Sequence, residues 1–215
     1  MISGLRVWAD HESRPAAEQM GLDEALLLRA CRPIVRFYRW TAPAVTFGYA
    51  QRYSDVCLSA GALPSIRRWT GGGIVFHGRD LTMALAVPAG EALFRMETAM
   101  VYQRIHDALL AVIGETMPGA RLAKPGDCRP GAACFQSPAS NDILHGGKKI
   151  CGGALRRGKQ GLLYQGSLHG EFSAPALAHS LSSSVDFHEP DGETLRLGAC
   201  LAKEKYGTPG WNEMR

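Results

Sequence analysis

The residues best suited to chemistry surround two glycine-rich stretches. The first runs from Arg67 to His77 and contains Gly71, Gly72 and Gly73 in succession. Consecutive glycines let the backbone bend, or let a ligand come closer than any Cβ would permit. The second is Lys149-Ile150-Cys151-Gly152-Gly153-Ala154. A lysine beside glycines at a strand end can present its charge to an acyl carbonyl, a carboxylate or a phosphate, so both stretches predict a ligand site.

The first stretch is not a nucleotide-binding loop. A dinucleotide loop needs a helix directly after its glycines, whereas β-branched and aromatic residues follow Gly73. A phosphate loop would need Gly-Lys-Ser or Gly-Lys-Thr, which is absent. The pattern predicts a strand, a glycine bend and a second strand that carries His77. Such a bend suits a slender ligand held against sheet backbone.

Two further side chains of the first stretch could contact that ligand. Arg68 can clamp a carboxylate or a phosphate, while Arg67 points away by alternation. His77 could polarise a substrate or only close the pocket, and the sequence favours neither role. In the second stretch, alternation gives Lys149 and Cys151 the same strand face and turns Lys148 to solvent.

The surrounding patterns predict the elements that position these residues. Pro15 to Ala30, Glu91 to Ile113 and Glu193 to Tyr206 have helical character, with the second helix ending at Gly114. Predicted strands are Ile34–Trp40, Ala44–Gly48, Ile66–His77 around the glycine bend, Leu81–Val87 and Leu162–Ser167. A hairpin from Asp142 to Cys151 turns at His145-Gly146-Gly147 and carries Lys149. Runs of strands with separate helices indicate an α+β fold.

One long segment does not fit a regular element. Ala123 to Ser140 is rich in proline, glycine, cysteine and serine. Irregular connections of this length inside a compact domain are usually functional. The segment contains Cys134 and directly precedes the hairpin of Lys149, so its cysteine is a candidate nucleophile.

Several stretches together resemble the lipoate–protein ligase A and octanoyltransferase superfamily. Arg67-Arg68-Trp69-Thr70-Gly71-Gly72-Gly73-Ile74-Val75-Phe76-His77 resembles the family segment that lines the acyl-chain tunnel. The other matching segments are Met20–Leu27, Val35–Tyr49, Lys149–Ala154 and Gln165–Leu168. They occur in the family's order and cover roughly Met20 to Leu168. The resemblance implies a biotin/lipoate protein ligase catalytic domain, with a mixed, mostly antiparallel sheet flanked by helices. We expect residues 1–215 to form this one domain, without an accessory domain.

The resemblance also implies roles for individual residues. Lys149 would act at the reacting carbonyl, and the Cys134 loop resembles the one that holds the nucleophile of one octanoyltransferase type. The acyl chain would lie along two groups of small residues, Gly71, Gly72 and Gly73, and Gly152, Gly153 and Ala154. Asn141 and Asp142 match the pair that ligases place near the nucleotide and magnesium. Cys151 competes with Cys134 as nucleophile, but its place between glycines favours packing.

Three functions are compatible with this pattern. The leading one is octanoyl or lipoyl transfer from acyl carrier protein to a lysine of a lipoyl domain or glycine-cleavage H protein, through a Cys134 thioester and without cofactor or metal. The first alternative is an ATP- and magnesium-dependent lipoate–protein ligase, although the segment after His77 lacks the H-D-x-G-N-L-N pattern of many ligases. The second is a non-catalytic acyl or lipoyl-domain binding protein.

Composition excludes other classes. The 215 residues carry a net charge of +4, which does not indicate a nucleic-acid partner. Positions 121 to 160 contain eight basic and two acidic residues. This local excess of positive charge would attract an acidic partner or a phosphate. No signal peptide or membrane-spanning run is visible, so we expect a cytoplasmic protein with no membrane partner. The six cysteines show no C-x-x-C spacing, which argues against a zinc site.

Overall fold

The computed structural model describes residues 2–127 and 138–214. The strands are β1 (Leu5–Asp10), β2 (Ile34–Arg39), β3 (Ala44–Phe47), β4 (Ser65–Arg67), β5 (Val75–His77), β6 (Leu81–Pro88), β7 (Arg121–Leu122), β8 (Ile143–His145), β9 (Lys148–Arg157), β10 (Gly161–Leu168) and β11 (Val185–Phe187). The helices are α1 (Ala16–Arg29), α2 (Tyr53–Ala60), α3 (Ala92–Arg95), α4 (Thr98–Thr116), α5 (Ala174–Leu181), α6 (Gly192–Leu201) and α7 (Pro209–Asn212). A π-helical turn, Ala202–Tyr206, continues α6.

The strands form two sheets. Within the described residues, the large sheet has eight strands in the order β11-β1-β2-β6-β10-β9-β8-β7, and the small sheet has the order β4-β3-β5. Only the pairs of β1 with β11 and with β2 are parallel in the large sheet. From β2 to β7 every neighbouring pair is antiparallel. The predicted α+β class, with a mixed and mostly antiparallel sheet flanked by helices, is confirmed.

Because side chains alternate along each strand, the two faces of the large sheet have different environments. On β2, Val35 and Phe37 point into an apolar core that helices α4 and α5 cover. Ile34 points to the opposite face, where it packs with apolar residues of α1. Arg36 and Tyr38 share that second face and are fully buried. One face of the sheet therefore packs as an ordinary apolar core, whereas the other also buries polar groups.

A close crossing of α1 and α6 depends on two glycines. A Cβ placed on Gly21 would lie 2.4 Å from the carbonyl oxygen of Gly198. A Cβ placed on Gly198 would lie 2.5 Å from a methyl carbon of Leu22. The absence of side chains at both positions lets the helices pack backbone to backbone, and this contact holds the C-terminal segment against α1.

Arg36 is a fully buried cation on the polar face. Its guanidinium donates hydrogen bonds to Asp10 Oδ2 from Nε at 3.0 Å and from NH2 at 2.7 Å, and to Asp23 Oδ1 from NH1 at 2.8 Å. It also lies 4.8 Å from the ring centroid of Trp8 and 4.1 Å from that of Tyr38. Because these groups come from β1, β2 and α1, the arginine fixes the helix onto the sheet.

The structure departs from the sequence predictions at several elements. The predicted helix over 91–113 is two helices, because Met96 and Glu97 adopt extended backbone between α3 and α4. The prediction that Gly114 ends this helix is wrong: α4 continues to Thr116. Helix α2 and the strands β1 and β11 were not predicted. The glycine hairpin is confirmed, with Gly146 at φ 56° and Gly147 at φ 76° between β8 and β9.

Within residues 2–127 and 138–214, no helix combines the length and the apolar character needed to cross a membrane.

Replacing Arg36 with methionine tests the buried charge network. The substitution leaves Asp10 and Asp23 buried without their shared cation, so we expect the free energy of unfolding to fall by about 3–5 kcal/mol. Urea denaturation of the purified variant measures this loss. The matched control is Arg39→Ala at the exposed end of the same strand, where the partner Glu171 is almost fully exposed and the expected change is below about 1 kcal/mol. Equal losses in both variants would contradict the account.

Candidate active site

A narrow cleft lies on the polar face, between the large and the small sheet. It encloses about 420 Å³ of space between atoms, part of it open to solvent. Strands β2, β6, β9 and β10 of the large sheet and β3 and β5 of the small sheet contribute to its walls. Of the residues predicted from the sequence, the structure brings six together in this lining: Arg68, His77, Lys149, Gly152, Gly153 and Ala154.

Lys149 places a buried ammonium group in the cleft. Its side chain is only 2% exposed, and Nζ lies 2.8 Å from Oδ2 of Asp142, which is 5% exposed. Asp142 Oδ2 also accepts a hydrogen bond from the backbone N–H of Ala139 at 2.6 Å. A buried ion pair of this kind persists only with a close partner on each charge. The pair therefore fixes the position of Nζ, which can act on an electron-rich atom of a ligand in the cleft.

A bulge in β9 directs Lys149 into the cleft. Leu144 of β8 pairs with Lys149, while the preceding Ile143 pairs with Cys151, so β9 carries one extra residue at this point. As a result Ile150 and Cys151 both pack in the apolar core, and Lys149 lies with Gly152 on the cleft side. The prediction that Lys149 and Cys151 share a strand face is wrong, because the bulge interrupts the alternation.

Gly152 makes room for the lysine side chain. A Cβ at this position would lie 2.1 Å from Cε and 2.5 Å from Nζ of Lys149, and 2.9 Å from Oδ1 of Asp142. Real Cβ atoms do not approach other atoms so closely. The glycine is thus required by the path of Lys149 across the strand, in addition to any contact with a ligand.

The glycine bend is held by Arg68. The NH2 group of Arg68 donates hydrogen bonds to the carbonyl oxygens of Gly71 and Gly73 at 2.9 and 2.8 Å, and NH1 donates to Thr46 Oγ1 at 2.8 Å. Gly72 has a φ of 86°. Arg68 itself lines the cleft, whereas the three glycines do not. The guanidinium therefore braces the bend, and the predicted use of Arg68 as an anion clamp would have to compete with these bonds.

His77 has hydrogen-bond partners on both ring nitrogens. Nδ1 lies 2.8 Å from Asp80 Oδ2, and Nε2 lies 2.7 Å from Thr46 Oγ1. Because a carboxylate only accepts, Nδ1 carries the proton and Nε2 accepts from the threonine hydroxyl. The ring stacks on Trp40, with centroids 4.0 Å apart. Burial lowers the pKa of His77 despite the bond to Asp80, so the neutral ring forms part of the cleft wall.

The carboxylate of Asp80 accepts hydrogen bonds from side chains of three strands. Besides His77, it accepts hydrogen bonds from the hydroxyls of Ser167 at 2.7 Å and Thr82 at 3.1 Å, and from the backbone N–H of Gly78 at 3.0 Å. Burial alone would raise its pKa, but the bonds from His77, Ser167 and Gly78 hold the pKa of this carboxyl well below its usual range. Asp80 thus stays negatively charged, and its hydrogen bonds fix the side chains of His77, Thr82 and Ser167 at this end of the cleft.

All three residues of the Gln165-Gly166-Ser167 segment line the cleft, and none of them was predicted as a site residue. Gln165 accepts a hydrogen bond from Thr70 Oγ1 and donates one to Asp23 Oδ2, both at 2.7 Å. It thereby connects the glycine bend to the buried network of Arg36. Ser167 bonds to Asp80, as described above. The sequence signal that could have found Gln165 and Ser167 was their spacing of two positions, which gives them the same face of a mostly apolar strand.

The predicted nucleophile, Cys134, lies outside the described residues. The described chain resumes at Pro138, and Ala139 is the residue that donates to the Asp142 carboxylate. Cys151, the competing candidate, is fully buried, and burial raises the pKa of its thiol. A thiol buried in this way stays protonated near neutral pH and is a poor nucleophile.

Asn141 and Asp142, predicted to lie near a nucleotide and magnesium, are neighbours of the cleft lysine. Asp142 is paired with Lys149, and Asn141 adopts a left-handed backbone with φ 72°. In the described part of the chain, no three histidine, cysteine, aspartate or glutamate side chains are grouped so that they could hold a metal ion.

Comparison with known proteins gives one family. The model of the lipoyl protein ligase A/B catalytic domain matches residues 15–193. The octanoyltransferase LipM of Symbiobacterium thermophilum is 32% identical over 183 residues, which cover 78% of this chain and 66% of the relative. The octanoyltransferase LipM of Geobacillus kaustophilus is 32% identical over 170 residues, which cover 72% of this chain and 61% of the relative. The chain thus spans slightly less than two thirds of these curated relatives.

Solved structures share the fold at lower identity. A crystal structure of lipoate-protein ligase A bound with ATP superposes with a TM-score of 0.74 at 22% identity, covering 97% of this chain and 98% of the other. A bipartite lipoate protein ligase from Thermoplasma acidophilum, studied with its E2 lipoyl domain, gives a TM-score of 0.73 at 20% identity, covering 99% of this chain and 97% of the other. At this identity the likeness establishes the fold.

Substituting Gly152 with alanine tests the path of Lys149. The added methyl group collides with the lysine side chain, so we expect the free energy of unfolding to fall by about 1–3 kcal/mol. Urea denaturation measures the change. The matched control is Gly158→Ala in the same hairpin, where the nearest atom to the new Cβ is Gln160 Oε1 at 3.7 Å and no loss is expected. A Gly152→Ala protein as stable as the control would show that Lys149 does not cross this glycine.

Proposed function

This chain belongs to the lipoyl protein ligase A/B catalytic domain family, and on that premise we propose that it is an octanoyltransferase. It takes an octanoyl or lipoyl group from acyl carrier protein and attaches it to a lysine of a lipoyl domain or glycine-cleavage H protein. Cys134 holds the group as a thioester between the two steps, and the reaction takes place in the cytoplasm. The names of the curated relatives support the transferase over the other members of the family.

The observation that carries this proposal is the buried Lys149 ammonium at the wall of a narrow cleft. A positive charge in a site shielded from water stabilises negative charge far better than one in solvent. Both steps of acyl transfer develop negative charge on the carbonyl oxygen of the acyl group. With the carbonyl next to Nζ, the alkyl chain can lie along the apolar surfaces of Met20, Val75 and Ala154.

The chemistry needs no energy source beyond the donor. The Cys134 thiolate attacks the thioester carbonyl of the acylated carrier, a new carbon–sulfur bond forms, and the carrier thiolate leaves and takes up a proton. The acceptor amine then attacks the carbonyl carbon of the Cys134 thioester. An amide bond forms, the bond between the acyl carbon and Cys134 Sγ breaks, and a proton of the amine passes to the Cys134 thiolate. Because one thioester replaces another in the first step, that step is nearly isoenergetic.

Partner proteins follow from the same premise. The archaeal relative of known structure was studied with its E2 lipoyl domain, which supports a lipoyl domain as acceptor here. The acyl carrier protein as donor follows from the transferase reaction itself. The excess of basic residues between positions 121 and 160 supports an acidic donor or acceptor near the cleft.

The ligase alternative uses the same lysine differently. In that reaction ATP would first activate free lipoate or octanoate, and magnesium would accompany the nucleotide. Lys149 offers a cation for a phosphate, while the carboxylate of Asp142 is already paired with Lys149. Because the ligase needs ATP and the transferase does not, one assay with and without nucleotide separates the two enzymes. A non-catalytic binding protein would transfer nothing in either condition.

The assay is acyl transfer without nucleotide. We expect the purified protein to acylate an apo lipoyl domain from octanoyl carrier protein in the absence of ATP, because the donor thioester already stores the required energy. Intact-mass spectrometry follows the acceptor, and peptide mapping locates the enzyme adduct on Cys134. Cys134→Ser should abolish transfer, and Cys151→Ser is the matched control that should retain it. Transfer that strictly requires ATP and free octanoate, with Cys134→Ser fully active, would replace this proposal with the ligase.

Lys149→Ala tests the charge in the cleft. Loss of one preorganised electrostatic contact typically lowers the rate by ~10²–10³, and we expect that reduction in kcat for octanoyl transfer. The control is Lys148→Ala, because Lys148 is the exposed neighbour on the same strand. Circular dichroism verifies that both variants are folded. Wild-type turnover by the folded Lys149→Ala protein would remove Lys149 from the reaction.

A further inference from the structure

We infer that His106, on the opposite side of the sheet from the cleft, is a positioning residue that holds the Asp142–Lys149 pair in its reactive geometry. The residue belongs to α4, whose buried side packs in the apolar core, and it is 1% exposed. It lies within the helix predicted over residues 91–113, and it is not among the site residues predicted from the sequence. The inference rests on the proposed function because acyl transfer is one of its two readouts.

Both ring nitrogens of His106 are engaged inside the core. Nδ1 lies 2.5 Å from the carbonyl oxygen of Asn141, and Nε2 lies 2.7 Å from the hydroxyl of Tyr164. A carbonyl oxygen only accepts, so Nδ1 carries the proton, and Nε2 of the neutral ring accepts from the tyrosine. Burial lowers the pKa of His106, which agrees with a neutral ring. The histidine thus joins a strand of the sheet to the chain just before Asp142.

The peptide bond between Asn141 and Asp142 transmits this contact. Its carbonyl oxygen accepts from His106, and its N–H, which belongs to Asp142, donates to the carbonyl oxygen of Ala139 at 3.1 Å. A peptide unit is planar, so bonds at both ends fix its orientation. Asp142 follows immediately, and its carboxylate pairs with Lys149. The orientation of the peptide therefore sets where the carboxylate, and with it the lysine, can lie.

Asn141 needs this support because its backbone is unusual. Among the described residues it is the one non-glycine residue with a positive φ, at 72°. Asparagine adopts this left-handed conformation more readily than most other non-glycine residues, and the bond from His106 helps to hold the peptide in it. Loss of the His106 bond would leave the Asn141 carbonyl without its donor from the core and would favour relaxation of the peptide.

Tyr164 completes the link between core and cleft. Its ring lies across two glycines that line the cleft from the other side: a Cβ on Gly153 would be 2.4 Å from the ring, and a Cβ on Gly166 would be 2.7 Å from the hydroxyl. This packing holds the hydroxyl that donates to His106. The glycines therefore serve the placement of Tyr164 and His106 as well as the shape of the cleft.

Two replacements of His106 separate positioning from simple packing. His106→Asn keeps an N–H donor at nearly the position of Nδ1 and so retains the bond to Asn141, whereas His106→Leu removes it. Tyr164→Phe removes only the bond to Nε2. Leu109→Ala is the control for general destabilisation, because Leu109 is a fully buried residue of the same helix. All variants are compared at a temperature at which each is folded by circular dichroism.

The first readout is steady-state octanoyl transfer. For His106→Leu we expect kcat to fall about 10–100-fold with KM within about twofold, since a small displacement of a catalytic group has an effect of this size. His106→Asn should recover kcat to within about threefold of wild type, and Tyr164→Phe should behave like it. Leu109→Ala should leave kcat within about twofold. Full activity of His106→Leu, or an equal loss in Leu109→Ala, would overturn the inference.

The second readout does not depend on the reaction. Limited acetylation with acetic anhydride, followed by peptide mass spectrometry, measures how readily the Lys149 amine is modified. We expect modification of Lys149 to be at least fivefold faster in His106→Leu than in wild type, with His106→Asn close to wild type. Unchanged acetylation in His106→Leu would overturn the inference even if the wild-type protein proved to be a ligase. If the wild-type protein transfers nothing, the proposed function fails and this readout still tests His106.

Discussion

The ion pair between Lys149 and Asp142 is the interaction on which the architecture of the cleft depends. Breaking a buried pair by losing one partner costs about 3–5 kcal/mol, so the protein can keep an ammonium at this depth only by placing a carboxylate beside it. The path of β9 serves this requirement. Its bulge turns Lys149 into the cleft, Gly152 leaves room for the side chain, and the segment before β8 brings Asp142 within 2.8 Å.

One face of the large sheet packs in the apolar core, and the other forms a wall of the cleft. The face covered by α4 and α5 is an apolar core, and the other face buries Arg36, Asp23, Gln165 and Asp80 in hydrogen-bonded networks. Such networks are costly when a partner is missing and specific when every partner is present. They connect α1, the glycine bend and His77 around the cleft, which gives a bound acyl group walls of fixed shape. His106 is the proposed link through which the apolar side supports the reactive side.

Much of this arrangement could be predicted from the residues. The glycine bend, the strand that carries His77 and the Gly146-Gly147 hairpin each have strong local signals, because few residues tolerate the required backbone. Helix α2 lacked such a signal, since Val56 and Ala60 are the two residues that it buries in the described structure. The end of α4 was misjudged because a single glycine inside a helix costs only about 1 kcal/mol relative to alanine, which is too little to end this 19-residue helix at position 114. The bulge at Lys149 and the use of Arg68 as a brace depend on contacts between distant segments, and strand alternation cannot reveal them.

A structure of the protein with a stable octanoyl thioester analogue would show directly whether Lys149 acts on the acyl carbonyl. We expect the carbonyl oxygen to lie about 2.7–3.1 Å from Lys149 Nζ, as for a group that stabilises the developing charge. We also expect the alkyl chain to run along Met20, Val75 and Ala154. An analogue bound elsewhere, or bound in the cleft with its carbonyl directed away from Lys149, would contradict this role of Lys149.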